Sequence, residues 1–118
     1  MIMTTPLRVL VVEDEMTIAL LIEDMLEEMG HEVVAMAMRL TPALKCAQTA
    51  EIDFAILDIN LDGSLSFPVA DVLQRRGVRF AFASGYGSGG LAPAYSQHTM
   101  IRKPFDMGAL QRAIESAA

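Results

Sequence analysis

The sequence predicts one α/β domain of the doubly wound kind, a parallel sheet with helices packed on both faces. Three observations predict it. Apolar runs begin near residues 8, 33, 54, 79 and 99, a rhythm of roughly 20 to 25 residues that suits a strand followed by a right-handed helical crossover. Between the first two runs, Ile18, Leu21, Ile22, Met25, Leu26 and Met29 recur at helical spacing, with Glu23, Asp24, Glu27 and Glu28 on the opposite side. Phe54-Ala55-Ile56-Leu57 is apolar without interruption, the pattern of a strand covered on both faces.

The elements follow in order. Residues 1–6 form a short lead into the first strand, Arg8 to Val12. The first helix ends at Gly30, placed as a C-cap glycine, and the second strand runs from Val33 to about Met36. Thr41 and Pro42 open a second helix as N-cap and first-turn residue, and it runs to about Thr49. Glu51-Ile52-Asp53 lead into the central strand, which closes on Asp58 ahead of an Asp62-Gly63 turn. A third helix runs from about Pro68 to Arg76 and stops at Gly77, and a fourth strand covers Arg79 to Ala83.

Ser84 to Gly90 then holds four glycines in seven residues, a loop composition. Only Leu91 to Gln97 remain for a fourth helix, and Pro93 must sit in its first turn or break it. The fifth strand is Thr99 to Arg102, and Asp106 caps a final helix with Met107, Leu110, Ala113 and Ile114 on one face.

Composition bounds the function. The 118 residues, 53% hydrophobic and 20% charged, fill one domain, 1–118, and leave no residues for an output domain. A net charge of −6 with nine basic residues argues against a nucleic-acid surface. Arg75, Arg76 and Arg79 gather near one helix end, where they complement its dipole. The single Cys46 excludes an internal disulfide, no Cys/His cluster has zinc spacing, and a reducing cytoplasm is the expected setting. No apolar stretch approaches the roughly 18 to 20 residues needed to cross a bilayer, so no membrane partner is expected. The nine methionines read as adaptable packing. His31 and His98 are isolated and read as surface or loop residues.

The chemistry lies at the strand ends. Val9 to Val12 runs into Glu13-Asp14-Glu15, the central strand into Asp58, the fourth into Ser84 and the fifth into Lys103-Pro104. Ligands of open α/β sheets sit beyond the carboxyl ends of the strands. Several carboxylates brought together need a proton or a cation to offset their charge. A hard divalent ion with oxygen ligands, magnesium above all, suits a sparse acidic set. Lys103 is then the group that neutralises an incoming anion. Read singly, Asp58 could be a turn-forming aspartate, Glu13 an acid favouring the next helix dipole, and Ser84 the start of a Gly-rich turn. Lys103-Pro104 could serve geometry alone.

As a set, these residues resemble the receiver domain of two-component response regulators, over essentially the whole chain from Arg8 to Ala118. The resemblance implies a flavodoxin-like five-stranded sheet of order 2-1-3-4-5. It makes Asp58 the phospho-accepting aspartate, Asp14 a direct magnesium ligand and Glu13 its neighbour acting through water. Asn60 takes the position whose backbone carbonyl completes the metal shell, Ser84 that of the hydroxyl switch residue, and Lys103 that of the lysine. The implied partners are a histidine kinase or histidine phosphotransfer protein and a downstream protein target, with action as a phosphate sink the other outlet. Phe82-Ala83-Ser84-Gly85-Tyr86 looks like the Phe-Ala-Thr-Gly-type subgroup of single-domain receivers, which implies a fourth helix that is short or disordered, in keeping with the glycines and Pro93. Met100 stands where most receivers carry an aromatic residue, and Tyr86 is the candidate substitute gate.

Two other readings compete. A magnesium-dependent small phosphohydrolase also uses a strand-end aspartate and a lysine, but usually needs an acid two residues after the nucleophile, where Asn60 stands. A degenerate receiver would bind partners without phosphorylation. A Rossmann-type nucleotide site is excluded, since Glu13-Asp14-Glu15 would repel a pyrophosphate after the first strand.

Overall fold

The computed structural model describes residues 5–85, 95 and 98–116. Its elements are β1 (Arg8–Val12), α1 (Met16–Glu28), β2 (Glu32–Ala37), α2 (Leu40–Thr49), β3 (Phe54–Asp58), β4 (Asn60–Leu61), β5 (Ser64–Leu65), α3 (Phe67–Arg76), β6 (Arg79–Ser84), β7 (Met100–Arg102) and α4 (Met107–Ser116). Five parallel strands form one sheet in the order β2-β1-β3-β6-β7. Counting only these strands, the order is 2-1-3-4-5, the flavodoxin-like arrangement the resemblance implied. The chain leaves β1 toward β2 and returns to the other side of β1 at β3, so the switch point lies between the carboxyl ends of β1 and β3.

Period-2 alternation divides the buried side chains between two cores. Leu10, Val12, Ala55, Leu57, Phe80 and Phe82 face one layer with Val69, Ala70 and Leu73 of α3 and Ala43 and Ala47 of α2. Val9, Val11, Phe54, Ile56, Ala81 and Ala83 face the other, with Ala19, Ile22 and Leu26 of α1 and Leu110, Ala113 and Ile114 of α4. Every residue of β3 is buried, which is why its sequence shows no polar alternation. Below the sheet, Arg8 ties β1 to β3: its guanidinium donates to both Asp53 carboxylate oxygens at 3.0 Å and its backbone N–H to Oδ2 at 2.9 Å.

Local details refine the reading. α2 starts at Leu40, with Arg39 in extended conformation as its N-cap and no side-chain cap bond. Thr41 therefore lies inside the first turn. Only Met38 and Arg39 separate β2 from α2, so the chain must enter the helix at once, and the Ala43 N–H already donates to the Arg39 carbonyl at 3.1 Å. Gly77 ends α3 in the left-handed region at φ 73°, and Asp106 caps α4 by accepting the Ala109 N–H at 2.9 Å.

Both histidines lie in loops, as expected, but neither is isolated. His31 is buried, because its Nδ1 accepts the Leu7 N–H at 3.0 Å while the Glu32 N–H donates to the Leu7 carbonyl, clamping the loop under the lead into β1. Burial pulls its pKa below the usual histidine value. His98 stacks on Phe80, with ring centroids 5.0 Å apart, and meets Phe82 and Tyr95 edge-on. Tyr95 in turn stacks on Phe67 and donates its hydroxyl to Asp71. Met100 packs against the core layer that contains Phe80, Phe82 and Tyr95. Tyr86 and the rest of the expected fourth-helix segment 91–97, Tyr95 apart, lie outside the described residues.

Candidate functional site

Parallel register assembles the site. Val12 pairs with Leu57, so Glu13 and Asp58 leave neighbouring strands side by side. Asp58 pairs with Ala83, one residue before Ser84, and Ser84 pairs with Arg102, one residue before Lys103. The Lys103 N–H donates to the Ser84 carbonyl at 2.9 Å, which locks these two strand ends together. The Lys103–Pro104 peptide is cis.

The side chains converge. Glu13, Asp14 and Asp58 each place a carboxylate oxygen within 4.8 Å of the other two. The Lys103 ammonium lies 2.6 Å from Glu13 Oε2 and 3.2 Å from Asp58 Oδ2. Glu13 is only 1% exposed and Asp58 9%, whereas Asp14 is half-buried at the rim. Ser84 is buried beside them at the end of β6. Asp14, Asp58, Asn60, Ser84 and Lys103 line one cleft of ≈ 520 Å³.

Three carboxylates face one ammonium, and the local electrostatics reflect the imbalance. Burial, reinforced by the Glu13 charge, pushes the Asp58 carboxyl up to about 7 against the pull of Lys103. Burial also raises Glu13, more than Lys103 lowers it. For Lys103 the desolvation that would lower it is outweighed by Glu13 and Asp58, so it stays an ammonium, raised above the usual lysine value. A hard divalent cation fits this donor set: the oxygens are anionic, close together and short of positive charge.

One part of the site was not anticipated. β4 and β5 form a two-residue antiparallel hairpin over the cleft, with Asn60 opposite Leu65 and Leu61 opposite Ser64. Asp62 at φ 54° and Gly63 at φ 91° are both left-handed, the type I′ geometry that Asp-Gly favours. The dipeptide was the available signal. Two-residue strands carry too little pattern to be read beside it. The Asp62 N–H donates to Asp14 Oδ2 at 3.1 Å, steadying that carboxylate, and the Gly63 N–H donates to Asn60 Oδ1 at 2.8 Å. The Asn60 side chain is thus spent within the turn.

Beside the cleft lies an apolar groove of ≈ 280 Å³, walled by Ile18, Leu21, Ile22 and Met25 of α1 and by Pro104 and Phe105. Ile18 and Lys103 line both hollows. Leu21 is 55% exposed there.

The family described as response regulator receiver domain matches residues 9–115. No curated protein matches the chain. Among solved structures it is similar to SdrG from Sphingomonas melonis Fr1, at 34% identity over 96% of this chain and 97% of that one, with a TM-score of 0.86. The BeF3-activated conformation of SdrG from Pseudomonas melonis Fr1 matches at 34% identity over 92% of each chain, with a TM-score of 0.79. The anti-anti-sigma factor PhyR from Bartonella quintana matches at 28% identity and a TM-score of 0.81, over 94% of this chain but only 46% of that one.

Proposed function

The chain belongs to the response regulator receiver family, and from that premise we propose that it is a phosphorylation switch that accepts a phosphoryl group on Asp58. The observation that carries this reading is the Lys103 ammonium 3.2 Å from Asp58 Oδ2 within a cluster of three acids. An Asp58 oxygen attacks phosphorus in line. The O–P bond forms as the P–N bond of a phosphohistidine breaks, and the electron pair leaves with the imidazole.

Lys103 meets an equatorial phosphoryl oxygen, and the Ser84 hydroxyl donates to another. Asp14, Asp58 and the Asn60 carbonyl would hold magnesium, with Glu13 adding its charge from behind. When bound, the metal neutralises the charge gathered on the transferring group. The acyl phosphate adds roughly one negative charge and three acceptor oxygens at the edge that carries Ser84. The chain thereby catalyses only its own phosphorylation and dephosphorylation.

The donor is a histidine kinase or histidine phosphotransfer protein. The apolar groove beside Lys103 gives such a partner a nonpolar seat next to the nucleophile. The output is a protein contact, as the anti-anti-sigma role of PhyR suggests, or removal of phosphate from the donor. Among the described residues no helix is long and apolar enough to cross a membrane, and we place the chain in the cytoplasm.

Incubation with magnesium and phosphoramidate, read by intact mass, tests the proposal. One phosphoryl group per chain is expected, and none on Asp58→Ala. A chain that takes up neither phosphate nor beryllofluoride would be a phosphorylation-independent binding module instead. Steady turnover of phosphate monoesters would instead favour a phosphohydrolase.

A further inference from the structure

We propose that His31 is an acid-released latch on the lead into β1: the neutral imidazole holds the Leu7 backbone, and a second proton on the ring frees residues 5–7. The latch lies at the amino ends of β1 and β2, the opposite edge of the sheet from Asp58 and Lys103, and is independent of the phosphoacceptor reading. Two adjacent residues grip Leu7. Its N–H donates to His31 Nδ1 at 3.0 Å, and its carbonyl accepts the Glu32 N–H at 2.9 Å. The pairing of Arg8 with Glu32 is thereby continued by one step, with a ring nitrogen where a strand would supply a carbonyl. Leu7 in turn packs against the core layer of α1 and α4, while Thr5 and Pro6 ahead of it are exposed.

Protonation and closure exclude each other. Because Nδ1 accepts, the single proton of the neutral ring sits on Nε2, which is buried and has no hydrogen-bond partner among the described residues. An imidazolium donates from both nitrogens and accepts at neither. The second proton would therefore set one N–H against another and leave a charge in a side chain whose residue is only 4% exposed. The charged residues on the elements around the ring are Glu27 and Glu28 of α1, Arg8 of β1, Glu32 of β2 and Glu115 of α4, and Arg8 is held by Asp53 and Glu51. None of them offsets the burial that pulls His31 below the ordinary 6.5. The latch is thus at full strength above about 6.5 and is lost as pH falls through the folded value. Asp58, raised rather than lowered, acts in the other direction.

Amide exchange in the full chain, read by NMR with magnesium present, tests this residue by residue, where a melting curve would mix the latch with Asp58. The chain has two histidines, so the His31 ring resonance is assigned by its loss in His31→Asn. Corrected for intrinsic exchange, protection of the Leu7 N–H should fall below about pH 6.5, approaching tenfold per pH unit, and level off where the His31 ring titrates. Leu10 and Ile56, inside the sheet, should keep their protection. At pH 8 the ring nitrogen shifts should show the Nε2–H tautomer. His31→Asn keeps an acceptor near the place of Nδ1 and cannot titrate, so Leu7 protection should lose its pH dependence. His31→Phe fills the space without an acceptor, and Leu7 should exchange at least about tenfold faster than in wild type at pH 8.

Leu7 protection that stays level while the His31 ring titrates, a fall of equal size in His31→Asn, or a neutral ring that carries its proton on Nδ1 would each overturn the latch. Should either variant fail to fold, the wild-type titration and the tautomer still decide it.

Discussion

Lys103 and Asp58 end 3.2 Å apart although β7, which Lys103 follows, and β3, which Asp58 closes, are not neighbours in the sheet. β6 lies between them, and the lysine reaches past the end of that strand to the acid. Such a contact spans the sheet's carboxyl edge only because all three strands run in the same direction.

Replacing the lysine removes the positive group nearest the nucleophile. Lys103→Met should slow phosphorylation by phosphoramidate by about 10²-fold, the usual cost of losing one charge-stabilising donor. It should leave one-to-one labelling attainable at long times. Single-exponential mass spectrometry time courses measure both.

The metal-free fold should weaken as pH rises. Asp58 titrates near 7 when folded, against 3.8 for an ordinary aspartate, so between those limits the folded state holds the extra proton. Its contribution is therefore full below about 4 and is lost as pH climbs through 7. In chelator, the melting temperature should fall from pH 5 to pH 8. Magnesium should restore it, and Asp58→Asn should flatten the profile and stabilise the metal-free chain at pH 8 by about 1–3 kcal/mol.

Protein and small-molecule donors should part company at the groove. Leu21 is exposed on its wall and is absent from the carboxylate cleft. Leu21→Glu should reduce transfer from the cognate phosphohistidine protein by about tenfold or more, the cost of a charged group in an apolar contact. The phosphoramidate rate should stay within about twofold. Equal losses with both donors would show that the residue acts on the site and not on docking.

At the opposite edge, the Arg8 hydrogen bonds hold the Asp53 carboxyl down at about 2, below the 3.8 of an ordinary aspartate. The sign reverses: this stability is present above about 4 and is lost as pH falls toward 2. The pair is partly exposed, so Asp53→Asn should cost only about 0.5–1 kcal/mol at pH 7. It should also flatten the acid side of a urea-midpoint profile.

The legible parts of this molecule were those governed by long patterns. β1, α1, β3 and α3 were read within about two residues of their observed bounds, because buried strands and amphipathic helices repeat their signal over many positions. Glycines after helices and Asp106 before one marked ends for local reasons. What escaped was short or non-local. The β4–β5 hairpin spends two residues on each strand, and α2 began ahead of its apparent cap because β2 left no room for a loop. His31 looked like a loop residue, which it is, but nothing in its neighbours told that Leu7 would fold over it.

The order of residues along the chain determined the strand rhythm, the two-faced cores and the placement of acids, a hydroxyl and a lysine at strand ends. Each of these is a property of a continuous segment, and periodicity or a terminal residue is enough to specify it. Only the folded sheet decided which charge meets which. Parallel register set Glu13 beside Asp58, and burial forced Lys103 to answer two acids at once. The Asp62-Gly63 turn brought a backbone donor to Asp14. Pairings between groups as far apart as Glu13 and Lys103, 90 residues along the chain, depend on distances that no local pattern encodes.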